Sequence, residues 1–191
     1  MTTLNLDIYL SGWIIGDGNY GDFRVGERRK FALEFWVRSP LARSQEEVIS
    51  VRGQSDHSYD VVGRLIFASD DVWVIDCGVL AYSDREKIED CTVGDFVRGD
   101  VQFGVDPYFY FEDHYKIPDI PPLIYEWQIN SIEQDTTPYI LSNDGSAYVR
   151  DESRRSHRSV RGTHPSLIKP DRGSEFVLYC SKLGTEPTPK L

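Results

Sequence analysis

Leu4, Leu6, Ile8 and Leu10 alternate with Asn5, Asp7 and Tyr9 near the start of the chain. That two-residue period is the mark of a strand with one buried face. It returns in KFALEFWV (30–37), with Phe31, Leu33, Phe35 and Val37 against Ala32, Glu34 and Trp36. It returns again in LIYEWQINSIE (123–133), with Leu123, Tyr125, Trp127 and Ile129 against Glu126, Gln128 and Asn130. YDVVGRLIFASDDVWVIDCGVLAY (59–82) predicts two apolar strands around a Ser-Asp-Asp turn at 69–71, with Gly63 and Gly78 as sites for a bulge. Val48–Val51, GDFVRGDVQFGV (94–105) and EFVLYC (175–180) add further strands. Asn143-Asp144-Gly145 predicts a hairpin turn between Tyr139–Leu141 and Ala147–Val149.

Helix signals are sparse. Ser83-Asp84-Arg85-Glu86 has the spacing of a capping box and predicts one short helix ending before Val93-Gly94. The expected fold is therefore all-β, a single domain built as a barrel or sandwich with one short helix. Residues 1–149, together with the strand at 175–180, form the expected domain. The run 150–173 lacks an apolar period and reads as a flexible basic arm, with 183–191 as a frayed tail. In the middle, roughly 59–133, the order strand, strand, helix, strand, strand resembles a partly open oligonucleotide/oligosaccharide-binding (OB) barrel.

Charge divides the chain unevenly. Residues 1–149 carry 12 Lys/Arg against 26 Asp/Glu, a net of −14, whereas 150–191 carry 9 against 5, a net of +4. An acidic body repels phosphate backbones and attracts basic proteins, which disfavours nucleic acid as ligand of the whole domain. Cys77, Cys91 and Cys180 are odd in number and lack a CxxC spacing, which predicts reduced thiols in a cytoplasmic protein. MTTLNLDIYLSGWII has neither a basic n-region nor an unbroken apolar stretch, and no run is long enough to span a membrane.

GDGNYGDF (16–23) is the first place to look for chemistry. Counted from Asp17 as a calcium loop, the third ligand position falls on Gly21 and the twelfth on Arg28, a cation where a carboxylate is required. The GKS/GKT ending of a phosphate loop is missing too. The stretch predicts a shaped turn in which Asp17, Asn19, Tyr20 and Asp22 form a contact loop. SDHSYD (55–60) offers His57 as a general base, without a GxSxG nucleophile elbow in the chain. His114 sits beside Glu112 and Asp113, an arrangement that reads as a solvated loop. No catalytic set, metal site or cofactor is expected.

PYFYFEDHYKIPDIPP (107–122) carries the strongest binding signal. Tyr108, Phe109, Tyr110 and Phe111 run consecutively, and on a strand two of them must face outward. With Glu112, Asp113 and Trp127 they make an expected interface for a basic protein partner, as in inhibitor- or immunity-type proteins. The alternative follows from the barrel resemblance, which implies single-stranded nucleic acid or a saccharide stacked on Trp73, Tyr82, Phe103, Phe109 or Tyr110. Arg154, Arg155, Arg158 and Arg161 would then hold the anion.

Overall fold

The computed structural model describes residues 3–85, 90–142, 144–164, 167 and 175–188. Among the described residues fourteen strands form: β1 (Asn5–Ser11), β2 (Arg28–Phe31), β3 (Leu33–Val37), β4 (Ala42–Arg43), β5 (Ser50–Gly53), β6 (Tyr59–Ala68) and β7 (Trp73–Asp76), then β8 (Leu80–Ser83), β9 (Phe96–Val105), β10 (Ile124–Asp135), β11 (Tyr139–Leu141), β12 (Tyr148–Arg150), β13 (His157–Val160) and β14 (Glu175–Thr188). Two short α-helices among the described residues, α1 (Gly12–Gly16) and α2 (Phe109–Glu112), interrupt them. The capping-box helix after Ser83 lies outside the described residues beyond Arg85.

The heart of the molecule is a closed five-stranded barrel. Its ring runs β9–β3–β8–β7–β6 and back to β9; β3 and β8 are parallel and the other four pairs antiparallel. The β6–β7–β8 meander followed by β9 is the OB order of strands one to four. The fifth place, however, is taken by β3 from upstream and not by 123–133. Strand β10 lies outside the ring, in an extension β9–β1–β14–β10–β13.

Alternation explains the main core. Leu6, Ile8 and Leu10 of β1, Phe31, Leu33 and Phe35, and Val101, Phe103 and Val105 of β9 are all buried in one cluster. In β10 the buried phase changes partway: Tyr125, Trp127 and Ile129 are buried, then Ile132 and Gln134. A bulge between Ile129 and Ser131 inserts the extra residue that shifts it. The turn at Cys77–Gly78, where Gly78 has φ +96, makes three strands of 59–83 where the pattern alone gives two.

A second, smaller core covers the opposite face of β7 and β8. Ala32, Val74 and Tyr82 are buried there by Tyr110, Leu123 and Ile124. Glu34, on that outer side of β3, is consequently only 8% exposed. Opposite it, Gly104 lies under the Trp36 ring, and a Cβ there would stand 2.5 and 2.7 Å from ring atoms. Trp36 is held in place by its Nε1 donating to Gln102 Oε1 at 3.0 Å. Gly104→Ala is therefore expected to cost about 1–3 kcal/mol in denaturant unfolding; an unchanged midpoint would mean that the ring swings aside freely.

Two segments differ from the sequence reading. Residues 150–164 are tied to the body over their described part: β13 pairs with β10, and Arg150, Arg154, Arg155 and Arg158 are all bonded to side chains of the chain. Long β10 offers a free edge, and ion pairs with an acidic body supply what an apolar period lacks. Residues 184–188 likewise continue β14, passing Gly184 at φ +74 before Thr188 pairs with Ile124. The remainder of both segments, 165–166, 168–174 and 189–191, lies outside the described residues.

Candidate functional site

The segment 106–122 begins on a buried carboxylate. Asp106 is fully buried; its Oδ1 accepts from Tyr82 Oη at 2.5 Å and from the Tyr110 amide at 3.1 Å, and its Oδ2 from Tyr20 Oη at 3.5 Å. Tyr108 takes a left-handed conformation, φ 80, and the chain turns into α2 instead of continuing as a strand. Helical spacing sorts the aromatic run differently from strand spacing. Tyr110 points inward and donates to the Pro121 carbonyl at 3.2 Å. Tyr108 and Phe111 stack at 4.7 Å, half-buried, with Tyr20 edge-on to both. Phe109 is left outward, 42% exposed, and Tyr115 follows at 37%. Glu112, Asp113 and Asp119 are exposed around them.

Of the seven predicted interface residues, Phe109, Glu112 and Asp113 thus share an exposed turn, with Tyr108 and Phe111 beneath. Tyr110 and Trp127 are corrections, because both are buried. Trp127 Nε1 donates to the Phe31 carbonyl at 3.3 Å and its ring stacks on Phe31 at 5.7 Å. Nearby, burial pushes the Asp106 carboxyl up to about 6 against the hydrogen bonds it accepts. It also pushes Glu34 up to about 8; Arg85 opposes that rise, while Asp106 and Asp84 add to it.

The glycine loop is a shaped turn, with Gly18 and Gly21 at φ +82 and +67. Asp17 and Asn19 are exposed and hydrogen-bonded to each other at 3.3 Å. Asp22 is half-buried, its carbonyl held by Arg29. Tyr20 leaves the contact set, since its ring packs on Tyr108 and Phe111. Among the described residues, no three His, Cys, Asp or Glu side chains are grouped to hold a metal ion.

The stacking set of the barrel alternative does not reach solvent: Trp73, Tyr82, Phe103 and Tyr110 are buried and only Phe109 is exposed. The arginines face solvent yet are engaged. Arg154 pairs with Asp151 at 2.5 Å, Arg155 with Asp56 at 2.5 Å, and Arg158 donates to Gln134 Oε1 at 2.8 Å. Arg161 is exposed, its carbonyl accepting from the Val25 amide at 3.0 Å.

His57 Nδ1 lies 2.9 Å from Asp7 Oδ2, with Tyr9, Tyr179 and His157 packed edge-on around the ring. Asp56 and His57 both have positive φ, 61 and 53, a strained pair that the Asp7 and Arg155 contacts hold. Among the described residues no serine, threonine or cysteine side chain hydrogen-bonds to His57; its one side-chain hydrogen bond there is to Asp7. Burial pushes the Cys77 and Cys180 thiols up to about 12, which leaves them unreactive.

One surface feature escaped the sequence reading. Strands β11 and β12 form a two-stranded sheet of their own, pairing Ile140 with Val149 and Leu141 with Tyr148. All four are exposed, Tyr148 at 66% and Leu141 at 54%. The Asn-Asp-Gly signal foretold the hairpin, but nothing local says that neither face is covered. Among the described residues, no helix is long and apolar enough to cross a membrane. Compared with known protein families, curated proteins and solved structures, the chain matches none.

Proposed function

We propose that this chain is a non-enzymatic, inhibitor- or immunity-type module that binds a basic protein through the acidic-aromatic turn 109–119. The observation that carries the reading is Phe109, 42% exposed and held outward between carboxylates by a helical turn. Exposed aromatics serve as anchors because they desolvate a large rigid area on binding, and the −14 charge of residues 1–149 speeds encounter with a cationic surface. The apolar hairpin 139–150 supplies a second contact area of the kind that clusters at protein interfaces. Burial of four of the five stacking candidates, and pairing of three of the four arginines, weigh against the nucleic-acid alternative.

The test begins with tagged full-length protein in host lysate, with and without nuclease, and proceeds to affinity measurement on the retained species. A combined Phe109→Ala and Tyr115→Ala variant is expected to weaken a basic partner by about 30-fold, since hot-spot truncations cost roughly 2 kcal/mol. The same variant should unfold within about 0.5 kcal/mol of the parent, because both side chains face solvent. Unchanged affinity in this variant overturns the reading, and a ligand removed by nuclease transfers it to nucleic acid.

A further inference from the structure

We propose that Asp106 is a proton-sensitive positioning residue, whose carboxyl holds the 107–113 turn closed over Tyr82 and closes it more tightly when it takes up a proton. The geometry is that of a latch. The carboxyl is fully buried under the turn it anchors, and it receives the Tyr110 amide from that turn, Tyr82 from β8 and Tyr20 from the glycine loop. The Phe109 amide also bonds to it. When the turn lifts, Asp106 and Tyr82 meet water; when it closes, the carboxyl loses water and gains donors.

Desolvation is the larger of these two effects, which is why the folded carboxyl sits at about 6 and not in its ordinary range. The closed state therefore binds the proton more tightly than the open one, and acid favours closure. Protonated, Oδ1 still accepts from Tyr82 and the Tyr110 amide, while Oδ2 becomes a donor facing Tyr20 Oη. The other groups around it are Glu34 on β3, with Asp84 and Arg85 beyond it, and His114, whose ring meets Tyr82 edge-on at 5.1 Å. Burial pulls His114 below its ordinary value, so its protonation would act in the opposite sense, toward opening. The tyrosines are pushed up and stay neutral. On the protein-binding reading, on which this consequence rests, a tighter turn presents Phe109 in one position and raises affinity toward acid pH.

Amide exchange of the free full-length chain, followed residue by residue by NMR across Phe109–Asp113, tests the latch without a partner. After correction for intrinsic rates, the turn is expected to be about tenfold less open at pH 5 than at pH 7, from carboxyl values near 4 open and 6 closed. Asp106→Asn, which mimics the protonated form, should match the parent's pH 5 protection at pH 7 and lose the acid tightening. Glu34→Gln should keep it. A pH-independent parent overturns the proposal, as does an Asp106→Asn chain that retains the trend while Glu34→Gln abolishes it. Should Asp106→Asn not fold, the 13C titration of the Asp106 carboxyl in the parent decides: a midpoint near 6 supports the latch and one near 4 overturns it. Because no partner enters these measurements, failure of the binding reading and failure of the latch are separate outcomes.

Discussion

Glu34→Gln is expected to make the protein more stable at pH 8 by ~4 kcal/mol, and to remove most of its loss of stability between pH 5 and pH 8. Glu34 is buried on β3, and burial sets its folded value at about 8. A carboxyl raised above its unfolded value binds its proton more tightly when folded. Its stabilising protonation is fully present below the unfolded value, near 4.5, and is lost as pH rises through 8. In that window the native state holds about one proton more than the unfolded chain, so stability falls by ~1.4 kcal/mol per pH unit. Asp106 adds to the same slope below about pH 6. The opposing carboxylates, Asp95, Asp135, Asp144 and Asp151, are held below their ordinary values and act at more acid pH. Urea unfolding at pH 5, 6, 7 and 8 measures both chains. Parallel curves would show that Glu34 is solvated, and the outer layer over β3 would have to be redrawn.

Glu34 also marks the limit of what local pattern reveals. Alternation in 30–37 places Glu34 and Trp36 on the polar side of β3, and so they are. That side is polar because a strand pattern distinguishes two faces, not because water reaches both. The 106–124 segment that covers the neighbouring face of β7 and β8 comes from elsewhere in the chain. Nothing in KFALEFWV announces it.

The same reason divides the other readings. Strands β1, β3, β9 and the first half of β10 were legible because one buried face imposes a two-residue period. The phase change at Ile132 was not, since Asn130 becomes a bulge only when β14 is paired beside it. The barrel was foreseeable from the succession of strands. Its closure by β3, upstream of the meander, was not, since strand order in a ring is set by long-range pairing. Among the site residues, the exposure of Glu112 and Asp113 followed from their charge, but the fates of Phe109 and Tyr110 depended on whether YFYF continued a strand or turned. Asp106, with two tyrosine hydroxyls and two amides turned toward it, decided that, and its partners lie as far away as Tyr20 and Tyr82. The arginines of 150–161 were visible as charge; their acceptors Asp56, Gln134 and Asp135 were not visible as neighbours.

Trp127 gives that lesson its largest measurable consequence. In sequence it belongs to an acidic-aromatic stretch and reads as an anchor for a partner; in the fold it is the largest fully buried side chain. Its strand is paired on one side to β14 and on the other to β2, opposite Arg29, so the ring cannot turn outward without breaking both ladders. Trp127→Ala is expected to lose about 3–5 kcal/mol, from lost burial and the cavity left behind. That is a large share of the ~5–15 kcal/mol that holds a domain of this kind together. The Phe31 stack and the Nε1 bond to its carbonyl go with it. Trp127→Phe keeps a ring against Phe31 and should cost less than half as much. Chemical denaturation separates the two readings of this residue. A small loss of stability with a large loss of partner affinity would return Trp127 to the interface; a large loss of stability, with affinity per folded molecule unchanged, assigns it to the core and leaves recognition to Phe109.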